Sequence, residues 1–187
     1  LRARILTRSG RFNAEFRDHP RSVEKGGQVH FILAHDEETR IQGDITLSQD
    51  DIRQLQMAKA AFYSGAMILL HSLRGQGRED LEIKQVFLAG AFGNYINKDN
   101  AKFIGMIPDI PSGRIFQIGN AAGIGAKACL LDKELRIKAK DLLKKIQYVE
   151  IAVADNFQRQ YAEAMYFPHL QLTEFPSLKV YEDIPKR

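Results

Sequence analysis

Two places in this chain join a short apolar run to a cluster of small residues and then to a helical segment. Val86, Phe87 and Leu88 run into Gly90, Ala91, Phe92 and Gly93; Ile115, Phe116 and Ile118 run into Gly119, Asn120, Ala121, Ala122, Gly123 and Gly125. Without a bulky Cβ, the chain can pass close to another backbone or a flat ligand, and glycine also reaches positive φ. Strand, small residues, helix is the order in which α/β proteins build ligand sites at the carboxyl ends of their strands. Neither cluster fits G-x-G-x-x-G, and G-x-x-x-x-G-K-[ST] occurs nowhere, so a Rossmann or P-loop reading has no support. On pattern alone, close packing of helix on strand explains the small residues equally well.

The surrounding pattern extends the α/β reading. Apolar alternation predicts strands over 29–34 and 41–47, joined as a hairpin around His35, Asp36, Glu37 and Glu38. Ser48 with Asp51 three residues on approximates a capping box and opens the longest helix. Its predicted buried stripe is Ile52, Leu55, Phe62, Ala66, Leu69 and Leu73, and Gly75 and Gly77 end it. A strand over 83–88, a helix over 99–104, a proline-rich connection, a strand over 114–118 and a helix over 120–131 follow, the alternation of an α/β layer. A charged helix over 132–146, a strand over 147–153 and a final helix over 155–166, stopped by Pro168, complete the prediction. The last residues, 169–187, read as an extended tail.

Composition narrows the function. With 187 residues, 44% of them hydrophobic, the chain can bury one core. It begins at Leu1, and its basic first segment lacks the apolar centre of a signal peptide, so a piece of a longer protein is expected. No apolar run approaches the ~20 residues of a membrane span, and a soluble, cytoplasmic protein is expected. The single cysteine, Cys129, excludes a cysteine-rich cluster site and reads as a structural thiol in an apolar helix. The scattered histidines form no H-x-x-x-H pair, so no metal is expected. Net charge is +4. The clustered lysines lie in the 132–146 helix opposite Leu135, Ala139, Leu142 and Ile146, a solvated amphipathic face rather than a nucleic-acid surface.

The segments ITLSQDDIRQLQMAKAA, VFLAGAFGNYI, IGMIPDIP, IGNAAGIGA, YVEIA and NFQRQYAEAMYFP occur in one order from Ile45 to Pro168. Together they resemble the C-terminal domain of the reductive activators of corrinoid proteins, in which an ASKHA-type ATPase lobe is coupled to an iron–sulfur domain. ASKHA is the superfamily of acetate and sugar kinases, heat-shock chaperones and actin. The resemblance implies an actin-like, ribonuclease H-like α/β lobe, with a mixed sheet flanked by helices. It divides the chain into a lead-in segment and hairpin completing the lobe (1–44), an ASKHA second-lobe domain (45–168) and an extended tail (169–187).

It also implies a function. The complete protein would use ATP, with Mg in the complete cleft, and an iron–sulfur cluster outside this segment to reduce inactive cob(II)alamin to cob(I)alamin. Implied partners are a corrinoid protein or corrinoid-dependent methyltransferase, the remainder of the same chain, and a homodimer mate. Nucleotide contacts would fall on Gly90, Ala91, Phe92 and Gly93. Gln56 and Lys59 would join them, since QMAK resembles the adenine-side helix of the chaperone ATPases and a spacing of three puts both on one helical face. The superfamily's paired glycines are here Gly90 followed by Ala91 and Phe92, with Phe92 placed to flank the base. A solvated surface is the plain alternative for Gln56 and Lys59. For GNAAGIGA the resemblance implies close packing beneath the cleft. No catalytic residue is assigned, because the first lobe has no counterpart before Ile45. Two other functions stay open: the lobe of an ASKHA small-molecule kinase, and an interaction module that has lost ATP binding.

Overall fold

The computed structural model describes residues 1–186, and the side chains of Ala91, Phe92 and Asn94 lie outside the described residues. Strands β1 (Ser22–Lys25) and β2 (Gln28–Ala34) pair antiparallel across Gly26 and Gly27. Both glycines have positive φ, 59° and 75°, the conformation a two-residue hairpin turn requires. Strand β3 (Ile45–Leu47) adds to the other edge of β2, closing an antiparallel sheet in the order β1-β2-β3.

Ser48 then caps α1 (Gln49–Arg74), its side chain accepting from the Asp51 N–H while Asp51 reaches back to the Ser48 N–H. The buried face of this helix is not the predicted stripe. Ile52 is buried, but Leu55, Phe62 and Leu69 are exposed, and the inward face carries Gln56, Lys59, Ala60, Tyr63, Ser64 and Ile68. A reading by apolarity chooses the wrong side because the inward polar groups are stabilised by backbone carbonyls, which no hydrophobic pattern records.

The second layer is parallel. Strand β4 (Val86–Ala89) runs directly into the short helix α2 (Gly90–Tyr95), followed by α3 (Lys98–Phe103). Strand β5 (Ile115–Gly119) pairs parallel with β4, Val86 opposite Ile115 and Ala89 opposite Gly119, and leads into α4 (Ala121–Leu131). Next come α5 (Lys133–Leu143) and α6 (Phe157–Ala164), the latter packed along α1. The predicted strand over 147–153 does not form; Ile151–Val153 makes a single 3-10 turn. The apolar side of α5 is also uncovered, with Leu135 and Leu142 exposed and Ile146 exposed just beyond its end, so its amphipathic pattern finds no partner among the described residues.

Three clusters form the core. Ala101, Met106, Ile107, Ile110 and Ile115 join α3 to β5; Ile52, Phe167, Tyr181 and Ile184 join α1 to the C-terminal segment; Ala60, Tyr63, Ala164 and Phe175 join α1 to α6. The last residues are therefore part of the interior: Tyr181 is fully buried and donates to the Phe103 carbonyl (2.7 Å). The IGMIPDIP segment receives them. Asp109 accepts from the Ser177 N–H (2.7 Å) and hydroxyl (2.5 Å), and the Gly105 backbone lies against the Pro168 carbonyl.

Candidate functional site

The parallel pair β4–β5 ends in two glycines with left-handed backbone, Gly90 (φ 86°) and Gly119 (φ 67°). Both strands turn into helices at this one edge. Asn120 caps α4 by accepting from the Gly123 N–H (2.9 Å), and no acidic residue occupies the first turn of that helix. Its positive dipole end is therefore left to whatever approaches the edge. From the side, Gln117 of β5 donates to the carbonyls of Gly93 (2.5 Å) and Ile96 (2.8 Å), fixing α2 against the sheet.

The glycines of this edge do different work. Among the described residues, a Cβ on Gly90 would meet nothing within 4 Å, and the same holds for Gly125 of α4. A Cβ on Gly93 would sit 2.6 Å from the Leu88 carbonyl oxygen, so Gly93 is a packing glycine that seats α2 on β4. Of the expected nucleotide residues, then, the structure places Gly90 at an open edge and Gly93 beneath it. The expected contacts of the Ala91 and Phe92 side chains lie outside the described residues. An apolar cavity of about 300 Å3, lined by Phe62, Phe87, Leu88, Gly93, Met106 and Ile107, borders the turn on its α1 side.

Gln56 and Lys59 are elsewhere, and their assignment needs correcting. Both are buried, Lys59 completely. Gln56 donates to the carbonyls of Ser9 (3.0 Å) and Met165 (2.7 Å). The Lys59 ammonium donates to the carbonyls of Tyr166 and Pro168 and lies 5.4 Å from the centre of the Phe167 ring. Arg8, also buried, donates to the carbonyls of Phe167 (3.4 Å), His169 (2.8 Å) and Leu170 (2.9 Å), while its own carbonyl accepts from the Phe167 N–H (2.8 Å). Three long polar side chains thus hold every carbonyl from Met165 to Leu170. Neither a nucleotide contact nor a solvated face describes Gln56 or Lys59; they tie α1 to the C-terminal segment. Burial pushes the Lys59 ammonium down to about 7.

Sequence reasoning passed over Gly119, Asn120 and Gly125 as site residues, treating GNAAGIGA as packing. In the structure α4 has no buried residue, and a Cβ on Gly125 would touch nothing. The signal available was its composition: a helix with two interior glycines sacrifices helix propensity, about 1 kcal/mol each relative to alanine. Within GNAAGIGA, Gly123 packs closely on the Asn120 side chain, where a Cβ would sit 2.6 Å from Nδ2, while no described residue covers Gly125.

The family model described as the C-terminal domain of RACo, the ASKHA domain, matches residues 1–179. The chain belongs to this family. The corrinoid activation enzyme RamQ of Eubacterium limosum is 34% identical to this ASKHA domain over 139 residues, 74% of this chain and 23% of that protein. The solved structure of a reductive activator for corrinoid, iron–sulfur protein superposes with a TM-score of 0.84 at 31% identity, covering 95% of this chain and 28% of that one. This RACo-type domain therefore spans about a quarter of the length of the relatives it matches. Their fold agrees with the α/β ASKHA class. Among the described residues, no helix is long and apolar enough to cross a membrane.

Proposed function

We propose that this domain forms one wall of the nucleotide cleft of an ATP-dependent reductive activator of corrinoid proteins. The observation that carries the nucleotide part is the β4–β5 edge, where Gly90 and Gly119 turn two strands into helices and the Gly90 and Gly125 backbones stand open. An open backbone beside the acid-free first turn of α4 suits a phosphate-bearing ligand lying across it. The two relatives, a corrinoid activation enzyme and a reductive activator for corrinoid, iron–sulfur protein, support the corrinoid part.

In this reading one electron converts cob(II)alamin on a corrinoid protein or methyltransferase to cob(I)alamin. An iron–sulfur cluster elsewhere in the longer protein supplies that electron, since one cysteine cannot provide the thiolates of a cluster. ATP binding shifts the protein between conformations that differ in affinity for nucleotide and partner. The domain's own residues bind and orient the nucleotide. The exposed apolar residues of α4 and α5, among them Ile124, Leu130, Leu131 and Leu142, are covered by the remainder of the chain or a second copy.

Gly125→Ala in the full-length protein tests the edge. The added methyl is free of contacts within this domain, and alanine should stabilise α4 by about 0.5–1 kcal/mol. ATP affinity should fall about tenfold or more, equivalent to about 1.4 kcal/mol, together with the ATPase rate stimulated by a corrinoid protein. Unchanged affinity would make Gly125 irrelevant to the nucleotide. ATPase activity stimulated by a sugar instead of a corrinoid protein would replace the activator reading with a kinase one.

A further inference from the structure

A cleft of about 700 Å3 lies apart from the β4–β5 edge and shares no residue with it. It opens between the 11–17 segment, the start of β2 and the first turns of α1, and three arginines line it: Arg11, Arg17 and Arg53. We propose that this cleft is a second ligand site, which takes a small molecule bearing phosphate groups and an apolar or aromatic part.

The walls are preorganised. Gln49, in the first turn of α1, accepts from the Phe12 N–H (3.3 Å) and donates to the Gly10 carbonyl (2.7 Å), locking the loop that carries Arg11. Thr7 closes the same loop by donating its N–H to the Arg11 carbonyl (2.9 Å). Phe12 stacks on the buried Phe16 with ring centres 4.9 Å apart, which fixes the short 3-10 helix carrying Arg17 and gives the cleft an apolar floor. Arg53 projects from α1 one turn beyond Gln49.

The charges are unbalanced. Among the described residues none of the three guanidiniums takes part in an ion pair or a side-chain hydrogen bond, and Asp50 is the one acid in the cleft wall. Three permanent cations against one carboxylate leave the concave surface with a net positive charge that attracts an anion. Guanidinium groups match phosphate oxygens bidentately, and they stay charged at every physiological pH. A cleft of this volume admits a small molecule, and its stacked phenylalanine floor suits the flat or apolar part of one. A convex acidic protein surface, by contrast, would reach the arginines without filling the cavity.

The test is calorimetric titration of inorganic pyrophosphate into the full-length protein at low salt without nucleotide, because ADP carries phosphates and an aromatic base and would compete for the cleft. The wild type should bind pyrophosphate. The triple variant Arg11→Gln, Arg17→Gln, Arg53→Gln should bind it at least about tenfold more weakly, because charge-assisted hydrogen bonds from the guanidiniums supply most of the attraction. Asp50→Asn should bind it more tightly. All three arginine side chains are exposed, so melting temperature should not change; each single Arg→Gln variant repeats the measurement with less perturbation. Equal binding by wild type and triple variant, or no binding by wild type, would overturn the proposal. So would binding of a hexaglutamate peptide without pyrophosphate, which would make the cleft a docking surface for an acidic protein segment. The arginine variants report on the cleft and Gly125→Ala on the β4–β5 edge, so the nucleotide reading can fail independently.

Discussion

Gly105→Ala should be the most damaging single-atom change in the domain, costing about 2–5 kcal/mol of stability. Gly105 has φ 77°, where a side chain costs about 1–2 kcal/mol in the left-handed region. Its Cβ would also overlap the Pro168 carbonyl oxygen, a backbone atom that no rotamer change can move aside. Displacing that carbonyl disturbs the acceptor of the Lys59 ammonium and the neighbouring carbonyls held by Gln56 and Arg8. Overpacking of a core typically costs about 1–3 kcal/mol more. Urea denaturation should show the loss against Gly113→Ala, where the added methyl meets nothing and φ is not left-handed. Equal stability of the two variants would mean that the segment around Gly105 does not support the C-terminal residues.

Lys59→Met should destabilise the domain by about 2–4 kcal/mol near neutral pH. The methionine keeps the apolar stem but leaves the Tyr166 and Pro168 carbonyls without their donor, each loss worth about 1–3 kcal/mol. Relief from burying a charge without a carboxylate partner offsets part of that. The pH dependence is the sharper signature. Burial holds the Lys59 pKa at about 7, against 10.5 for an ordinary lysine. Between those values the unfolded chain binds more protons than the folded one, so this group makes stability rise with pH across the window. The slope is at most about 1.4 kcal/mol per pH unit, and it flattens below about pH 7, where both states carry the proton. Tyr63 and Tyr181, both pushed upward by burial, titrate above the window in the folded state. Stability measured from about pH 6 to about pH 10 should therefore rise more steeply in the wild type than in Lys59→Met. Parallel profiles would show that Lys59 keeps its charge throughout.

Most of the fold was legible where local chemistry and tertiary packing agree. The capping box at Ser48, the two strands with their small-residue turns, and the Asn120 and Asp132 starts of α4 and α5 are all written in neighbouring residues. The inward face of α1 was not, because its decisive contacts join Gln56 and Lys59 to carbonyls more than a hundred residues away. The same distance hid the role of IGMIPDIP, whose glycine and aspartate are needed by Pro168 and Ser177. The segment 147–153 has the apolar, β-branched composition of a strand but pairs with no strand among the described residues, and pairing rather than propensity decides a β-strand. At the candidate site, the glycine clusters announced a close approach. They did not separate Gly93, blocked by its own strand, from Gly90, which stands open.

Hydrogen exchange of the full-length protein, with and without saturating Mg–ADP, tests the nucleotide edge most directly. The account predicts that nucleotide slows exchange of the amides over 89–93 and 119–125. It leaves the 165–170 segment, already held by Lys59, Gln56 and Arg8, unchanged. Nucleotide binding that protects other segments while 89–93 and 119–125 exchange at their unliganded rates would contradict it.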